Sequence, residues 1–313
     1  VPPLGKFFDP DAGFWANAET GVPESESLEL PGLYEQVSVY FDDRRVPHIF
    51  AQNEHDLFMA QGFITAQQRL FQMEIQTYDA AGRLSEIIGE NERVQNRDLT
   101  TRRWGMPWAA EKKVEVVKQD PESWAILTAY ADGVNAYIAS LSKLEYPVEY
   151  KVLDIAPELW TPLKTSQLHM NMARTLAGGS SDDRTSNTLA YFGEEFIDTF
   201  FKTKPEMLEP IIPPSRTWDF NAKQPEAPEK TFIPKTAERI QFFEPDAGVG
   251  SNNWAVHGSK TKSGNPILAG DPHLQLTMPS IWMEQQLHAP GYNAYGVGFQ
   301  GIPGILIGFN EHI

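Results

Sequence analysis

Ser251 follows Gly250 and opens the run SNNWAV (Ser251 to Val256), with a proline-rich stretch before it and strand-like sequence after it. A serine hydroxyl is a weak nucleophile until a base takes its proton. A free α-amino group, with an unperturbed pKa of about 7.7–8.0, is a base poised near neutrality. Cutting the Gly250-Ser251 bond would create that base on the nucleophilic residue itself, so the chemistry on offer is acyl transfer by an N-terminal serine. A Gly-Ser pair taken alone reads as an ordinary flexible turn, so the surrounding sequence must decide.

From Ser251 the chain passes through a hairpin-like stretch with its turn at Ser263-Gly264-Asn265. It continues through ILAGDPHL (Ile267 to Leu274), EQQLHAPGYNAYGVGFQGIPG (Glu284 to Gly304) and IGFN (Ile307 to Asn310). Without gaps from Ser251 to Asn310, these residues resemble the start of the catalytic β chain in the penicillin acylase family of N-terminal nucleophile hydrolases. Upstream, VPHIFAQNEHDLFMAQGFITAQQRLFQMEIQTYDAAGRLSEIIG (Val46 to Gly89) resembles the opening of the family's α chain, and PVEYKVLDIAPELWTP (Pro147 to Pro162) its later motif. Arg45 departs from the pattern, standing where most members place glycine in the turn before Val-Pro-His. A residue with a Cβ is strained at φ > 0, so a different turn type is expected here.

The resemblance implies an α+β protein with the αββα sandwich of N-terminal nucleophile hydrolases, its α-chain part mostly helical and its sheet incomplete after Ser251. The activity implied is hydrolysis of the amide in N-acylated small molecules, such as penicillins, cephalosporins or N-acyl-homoserine lactones, after autocatalytic cleavage between Gly250 and Ser251. The alternative is a non-catalytic or maturation-arrested relative that binds a ligand without cleaving it. His273, 22 residues after the serine, is implied to act near the nucleophile through its backbone or imidazole; it reads equally as a structural histidine held by Pro272. Leu274 and Ile307 stand where family members line the acyl pocket, and Met172 and Arg174 lie where the α chain approaches it. The absence of a cation at Ile307 points to an apolar acyl chain, although Leu and Ile are commonly plain core residues. No catalytic cofactor is expected. Members often hold a structural calcium near Asp182 or Asp183, and a solvated acidic loop is the alternative. The expected partners are the N-acyl substrate and the remainder of the chain's own β chain, as an α/β heterodimer after processing. The family's oxyanion donors are expected beyond Ile313, so residues 1–313 alone are expected to be inactive.

Composition narrows the classes. The 313 residues are 41% hydrophobic and 22% charged, with a net charge of −16 and a pI near 4.9. Nucleic acid and anionic membrane need a basic surface and are poor partners for such a chain. No apolar run reaches the roughly 18 residues of a membrane span, and a first residue of Val points to a removed export segment. Bacterial periplasm or secretion is the location that the resemblance implies. Zero cysteines exclude a disulfide framework and thiol catalysis.

The elements that must position these residues read in three regions: 1–203, mostly helical; 204–250, a spacer or linker; and 251–313, the start of a catalytic β chain. An alternating strand is expected over Val37 to Phe41, followed by a turn at Asp42 to Arg45. A long amphipathic helix starts at the N-cap Asn53, with Leu57, Ala60, Ile64, Phe71, Ile75 and Tyr78 on its apolar stripe. A second begins at Asp120-Pro121 and carries Trp124, Leu127, Tyr130, Val134, Tyr137 and Leu141. Further helical patterns lie near Thr165 to Ala177 and Ser186 to Phe201. His48 and His55 match no usual zinc spacing, and a capping role at the helix start suits their neighbours better. Arg83 to Glu86 is expected to close a helix against the catalytic domain through ion pairs, and Trp104, Trp108 and Trp160 to be packing residues.

Overall fold

The computed structural model describes residues 27–177, 182–201, 215–217 and 250–313. They fall into two compact units, one drawn from 1–176 with 247–313 and the other from 177–246. In the first, a five-stranded sheet has the order β1 (Ser38–Phe41), β2 (Pro47–Phe50), β5 (Trp282–Ala289), β6 (Tyr292–Phe299), β7 (Ile307–Phe309). Only β2 and β5 run parallel, which joins strands from before residue 204 to strands from after residue 250 in one sheet. The remaining strands, β3 (Gly250–Val256) and β4 (Ile267–His273), form an antiparallel hairpin of their own, with Gly264 at φ 79 in its connection.

Strand alternation decides what covers the sheet. Met283, Gln285, Leu287 and Ala289 of β5 are buried while their neighbours are not, so one face carries the core. On that face lies helix α1 (Glu54–Ala81), whose Leu57, Phe58 and Phe63 pack with Ile49, Met283 and Leu287. Asn53 caps α1 by accepting the Asp56 N–H at 2.8 Å, and Gly82 at φ 63 ends it. The layer behind is built from α5 (Pro121–Ser140) and α7 (Pro162–Leu176), which with α6 (Val148–Leu153) enclose Met73, Tyr130, Val134, Tyr150, Trp160 and Leu168. Two glycines let α1 and α5 touch backbone to backbone. A Cβ on Gly62 would sit 2.1 Å from the Tyr130 carbonyl oxygen, and one on Gly133 would sit 1.8 Å from that of Met59. This is an α+β arrangement, helices layered on one face of a mixed sheet.

Several local expectations change. Arg45 adopts φ 64, so the left-handed turn is kept although its residue is not glycine. Asp42 makes this tolerable: its Oδ1 accepts the N–H groups of Arg44 and Val46, its carbonyl accepts that of Arg45, and the Arg45 guanidinium lies 4.9 Å from the Phe41 ring centroid. Arg83 does pair at the end of α1, but with Glu86 and Glu158 inside the helical region. Trp160 is buried, whereas Trp108 is 63% exposed. Four of the described helices had no individual sequence expectation: α2 (Leu84–Ile88), α3 (Glu92–Arg103), α4 (Met106–Val117) and α6.

In the second unit the helical pattern near Ser186 to Phe201 is two helices, α8 (Asp182–Phe192) and α9 (Glu194–Phe200), because Gly193 at φ 84 separates them. Phe192 stacks on Phe196 with centroids 4.6 Å apart, and Phe196 meets Phe200 at 4.7 Å with the rings tilted by 40°. Most of 204–250 lies outside the described residues. Among those residues, no helix is long and apolar enough to cross a membrane.

Candidate active site

Ser251 lies at the open end of the β3–β4 hairpin, where Gly250 pairs with His273, Ser251 with Pro272 and Asn252 with Asp271. The Ser251 hydroxyl donates to the Gly250 carbonyl oxygen at 2.7 Å, so nucleophile and junction already touch. Successive side chains on a strand point to opposite faces, and directly paired residues share one. His273 therefore shares the face of Asn252 and Asp271, and its Nε2 lies 2.8 Å from Asp271 Oδ2 and 3.4 Å from Asn252 Nδ2. That face is the reverse of the one carrying the Ser251 hydroxyl. What His273 brings to the junction is its main chain, one rung from Ser251. Pro272, directly opposite the serine, has no N–H to engage it.

The residues expected around an acyl group are placed separately. Leu274 is half-buried immediately after β4. Ile307 is 39% exposed on the edge strand β7, paired with Val297, which in turn pairs with Glu284 on the sheet face away from α1. Met172 is buried in α7. Arg174 is engaged within the helical layer: it donates to Asp79 at 2.6 Å, Thr101 at 3.0 Å and Asn171 at 2.8 Å. Burial pushes the Asp79 carboxyl up, but Arg97 and Arg174 outweigh it and hold it below the usual range. The side chains of Asp182 and Asp183 lie outside the described residues. Among those residues no group of three or more His, Asp or Glu could hold a metal ion.

A buried polar network positions the loop that enters β7, and sequence reasoning missed it. Gln61 Nε2 donates to Gln285 Oε1 at 3.0 Å and to the Gly304 carbonyl at 3.3 Å, while Gln61 Oε1 accepts the Gly304 N–H at 2.9 Å. Gln285 donates to Thr65, and the Gly301 N–H donates to the Tyr130 hydroxyl. Helices α1 and α5 thus fix residues 301–304, and with them the approach to Ile307. The available signal was a glutamine inside the apolar run of α1.

The paired histidines behave as local fasteners. His55 Nδ1 lies 2.9 Å from Asp56, and its ring stacks on Tyr34. His48 Nδ1 meets Gln286 Oε1 at 2.7 Å, tying β2 to β5. Beside them Tyr295 and Arg44 both donate to Glu284, whose carboxyl is held low by the tyrosine hydroxyl first and by Arg44 against partial burial.

A family model described as penicillin amidase matches residues 36–313, which includes both the helical layer and the Ser251 hairpin. The chain belongs to the penicillin amidase family. Among its curated relatives, penicillin acylase 2 proenzyme of Pseudomonas sp. strain SE83 is 32% identical over 299 residues, covering 90% of this chain and 36% of the relative. Acyl-homoserine lactone acylase QuiP of Pseudomonas aeruginosa is 28% identical over 294 residues, covering 94% and 34% respectively. The chain thus spans about a third of the length of these family members. Among solved structures, a thermostable penicillin G acylase from Alcaligenes faecalis matches 57% of this chain and 97% of that chain, with a TM-score of 0.48 at 23% identity.

Proposed function

We propose that this chain carries the nucleophile and first catalytic strands of an amide hydrolase that removes acyl groups from N-acylated small molecules. The observation that carries the proposal is the junction, where in a penicillin amidase family chain the Ser251 hydroxyl lies 2.7 Å from the Gly250 carbonyl oxygen. Rotation about the Ser251 Cα–Cβ bond turns the hydroxyl from donating to that oxygen toward attacking the carbonyl carbon. Attack forms the Oγ–C bond, collapse breaks C–N, and the hydroxyl proton passes to the departing nitrogen. Water then hydrolyses the resulting Gly250 ester and leaves Ser251 with a free amine. In turnover the same Oγ attacks the substrate amide. The α-amino group takes its proton through a water, gives it to the leaving amine, and a second water clears the acyl-enzyme. His273 supports the nucleophile through its main chain.

Leu274, Ile307 and Met172 are proposed as acyl-pocket residues. Arg174 is already paired with Asp79, so these four positions offer no spare cation, and burying an unpaired carboxylate would be costly. Amides with aliphatic or aryl acyl chains are therefore the proposed substrates. The proposal extends to a two-chain product held together with the remainder of the β chain, to export from the cytoplasm, and to a structural calcium at Asp182 or Asp183. Intact-mass spectrometry of the protein expressed at full length, beside Ser251→Ala, tests the core of it. A chain beginning at Ser251 is expected in the wild type only, and two uncut, folded proteins would refute autocatalysis. Glutaryl amides outcompeting octanoyl and phenylacetyl amides would refute the apolar pocket.

A further inference from the structure

Two basic side chains meet where α4 packs against α7. Met106, Ala110 and Lys113 lie at i, i+4 and i+7 on α4, and the first two are buried, so Lys113 continues the stripe that turns inward. On α7, His169 follows Leu168 and stands four residues after Thr165, both of them buried. The Lys113 amine and His169 Nδ1 are joined by a hydrogen bond. Among the described residues no carboxylate pairs with Lys113, whereas Lys112 beside it donates to Glu115 at 2.8 Å and Lys164 to Glu74 at 3.2 Å. Half-buried without a counter-charge, the ammonium form is disfavoured, and burial holds Lys113 below the usual lysine range. Burial first, and the Lys113 charge second, lower the His169 imidazole as well, so near neutral pH the ring is a free base. The two nitrogens touch, so one of them is an acceptor, and no gap is left between them for an anion.

We infer that Lys113 is a self-acylation site, an amine nucleophile served by His169 as its base, which takes acyl groups from small activated esters and thioesters. The Nζ lone pair attacks the carbonyl carbon and forms the C–N bond, while His169 Nδ1 takes the amine proton. Collapse breaks the C–O or C–S bond, and the leaving group departs with the electron pair. The imidazolium gives its proton to that leaving group or to water, and an amide without charge remains at Lys113. His169 is exposed, so a donor reaches the pair from solvent. Lys151 is the internal comparison. Burial lowers its amine too, but that amine donates to the Leu144 carbonyl, which takes no proton. The inference does not depend on the chemistry of Ser251.

Treating the whole chain with limiting p-nitrophenyl acetate near neutral pH, followed by peptide mapping in a mass spectrometer, tests it. Acetylation of Lys113 should run about tenfold ahead of Lys112 and Lys151, modest beside the roughly 10²–10⁴ that a positioned base contributes. His169→Gln keeps a side chain that can hydrogen-bond the amine but cannot take its proton, and it should abolish the lead of Lys113 while Lys112 and Lys151 label as before. The lead should persist in Ser251→Ala. A Lys113 no faster than Lys112 or Lys151, an acetyl group only on His169, or a lead that survives His169→Gln would each overturn the inference. A lead lost in Ser251→Ala would assign the acyl transfer to the serine and overturn it too.

Discussion

Replacing Gln61 with leucine should loosen the loop that leads into β7 without opening a cavity, because the two side chains are close in size. The substitution removes the acceptor of the Gly304 N–H, one donor to the Gly304 carbonyl and the donor to Gln285 Oε1. Each buried group left without a partner costs about 1–3 kcal/mol. Gln285 is only 3% exposed and bears that cost in full, while Gly304 is half-buried, so water offsets part of its loss. The sum is about 3 kcal/mol. At roughly 2–4 °C per kcal/mol for a chain of this class, Tm should fall by about 6–12 °C in a thermal melt followed by circular dichroism. Gln61→Leu combined with Gln285→Leu removes the orphaned Oε1 as well and should recover about 1–2 kcal/mol, since replacing both partners is far less costly than replacing one. A single variant within 0.5 kcal/mol of wild type (about the scatter of a neutral surface change), or a double variant worse than the sum of its singles, would refute the network as the fastener of this loop.

Gly133→Ala puts a methyl group 1.8 Å from the Met59 carbonyl oxygen, a backbone atom that cannot rotate away. Urea unfolding should show a loss of about 3 kcal/mol or more, at the upper end of overpacking costs, and a neutral result would mean that the helices part easily. The Glu158 carboxyl is held down to about 2, chiefly by the Arg83 hydrogen bond and further by Tyr78 and Lys164, against partial burial. An acid whose folded pKa is depressed adds stability above its unfolded value and loses it as pH falls, here from about 4.5 towards 2. Glu158→Gln should therefore flatten the acid limb of a Tm-versus-pH curve in that window, and an unchanged limb would count against the pairing. Arg45→Val places a β-branched residue at φ 64 and removes the contact with Phe41. A loss of about 1–2 kcal/mol is expected, whereas Arg45→Gly should cost less than the valine change; the reverse order would contradict the strain argument.

Helix α1 was legible because its stripe from Leu57 to Tyr78 is apolar and Asn53 caps it, two local signals that agree with the tertiary packing. Helix α3 gave no such signal. Its buried residues are Asp98 and Thr101, and it docks through hydrogen bonds: Asp98 accepts the N–H groups of Leu84 and Ser85 and the Ser85 hydroxyl. Hydrophobic periodicity is blind to a helix held by its polar side. Arg45 failed for a related reason, since the expectation priced the strain of one residue and left out Asp42, whose carboxylate closes the turn around it.

At the candidate site the same division holds. A hairpin after Ser251 was readable from its turn residues, and the hairpin register is what sets His273 one rung from the junction. The face of the imidazole was not readable, because the parity of that register decides it and spacing alone does not. Gln61 is the sharper case. A polar residue in the apolar run of α1 demands a buried partner on energetic grounds, so the need for one was visible in the sequence. Which partner meets it was not, because Gln285 lies 224 residues away, in a strand whose own alternation would place any side chain there toward α1. Two polar residues, each out of pattern in its own element, are mutually explained only when the parallel pairing of β2 with β5 brings that strand under the helix. The position of the loop entering β7, and of Ile307 at its end, follows from that pairing.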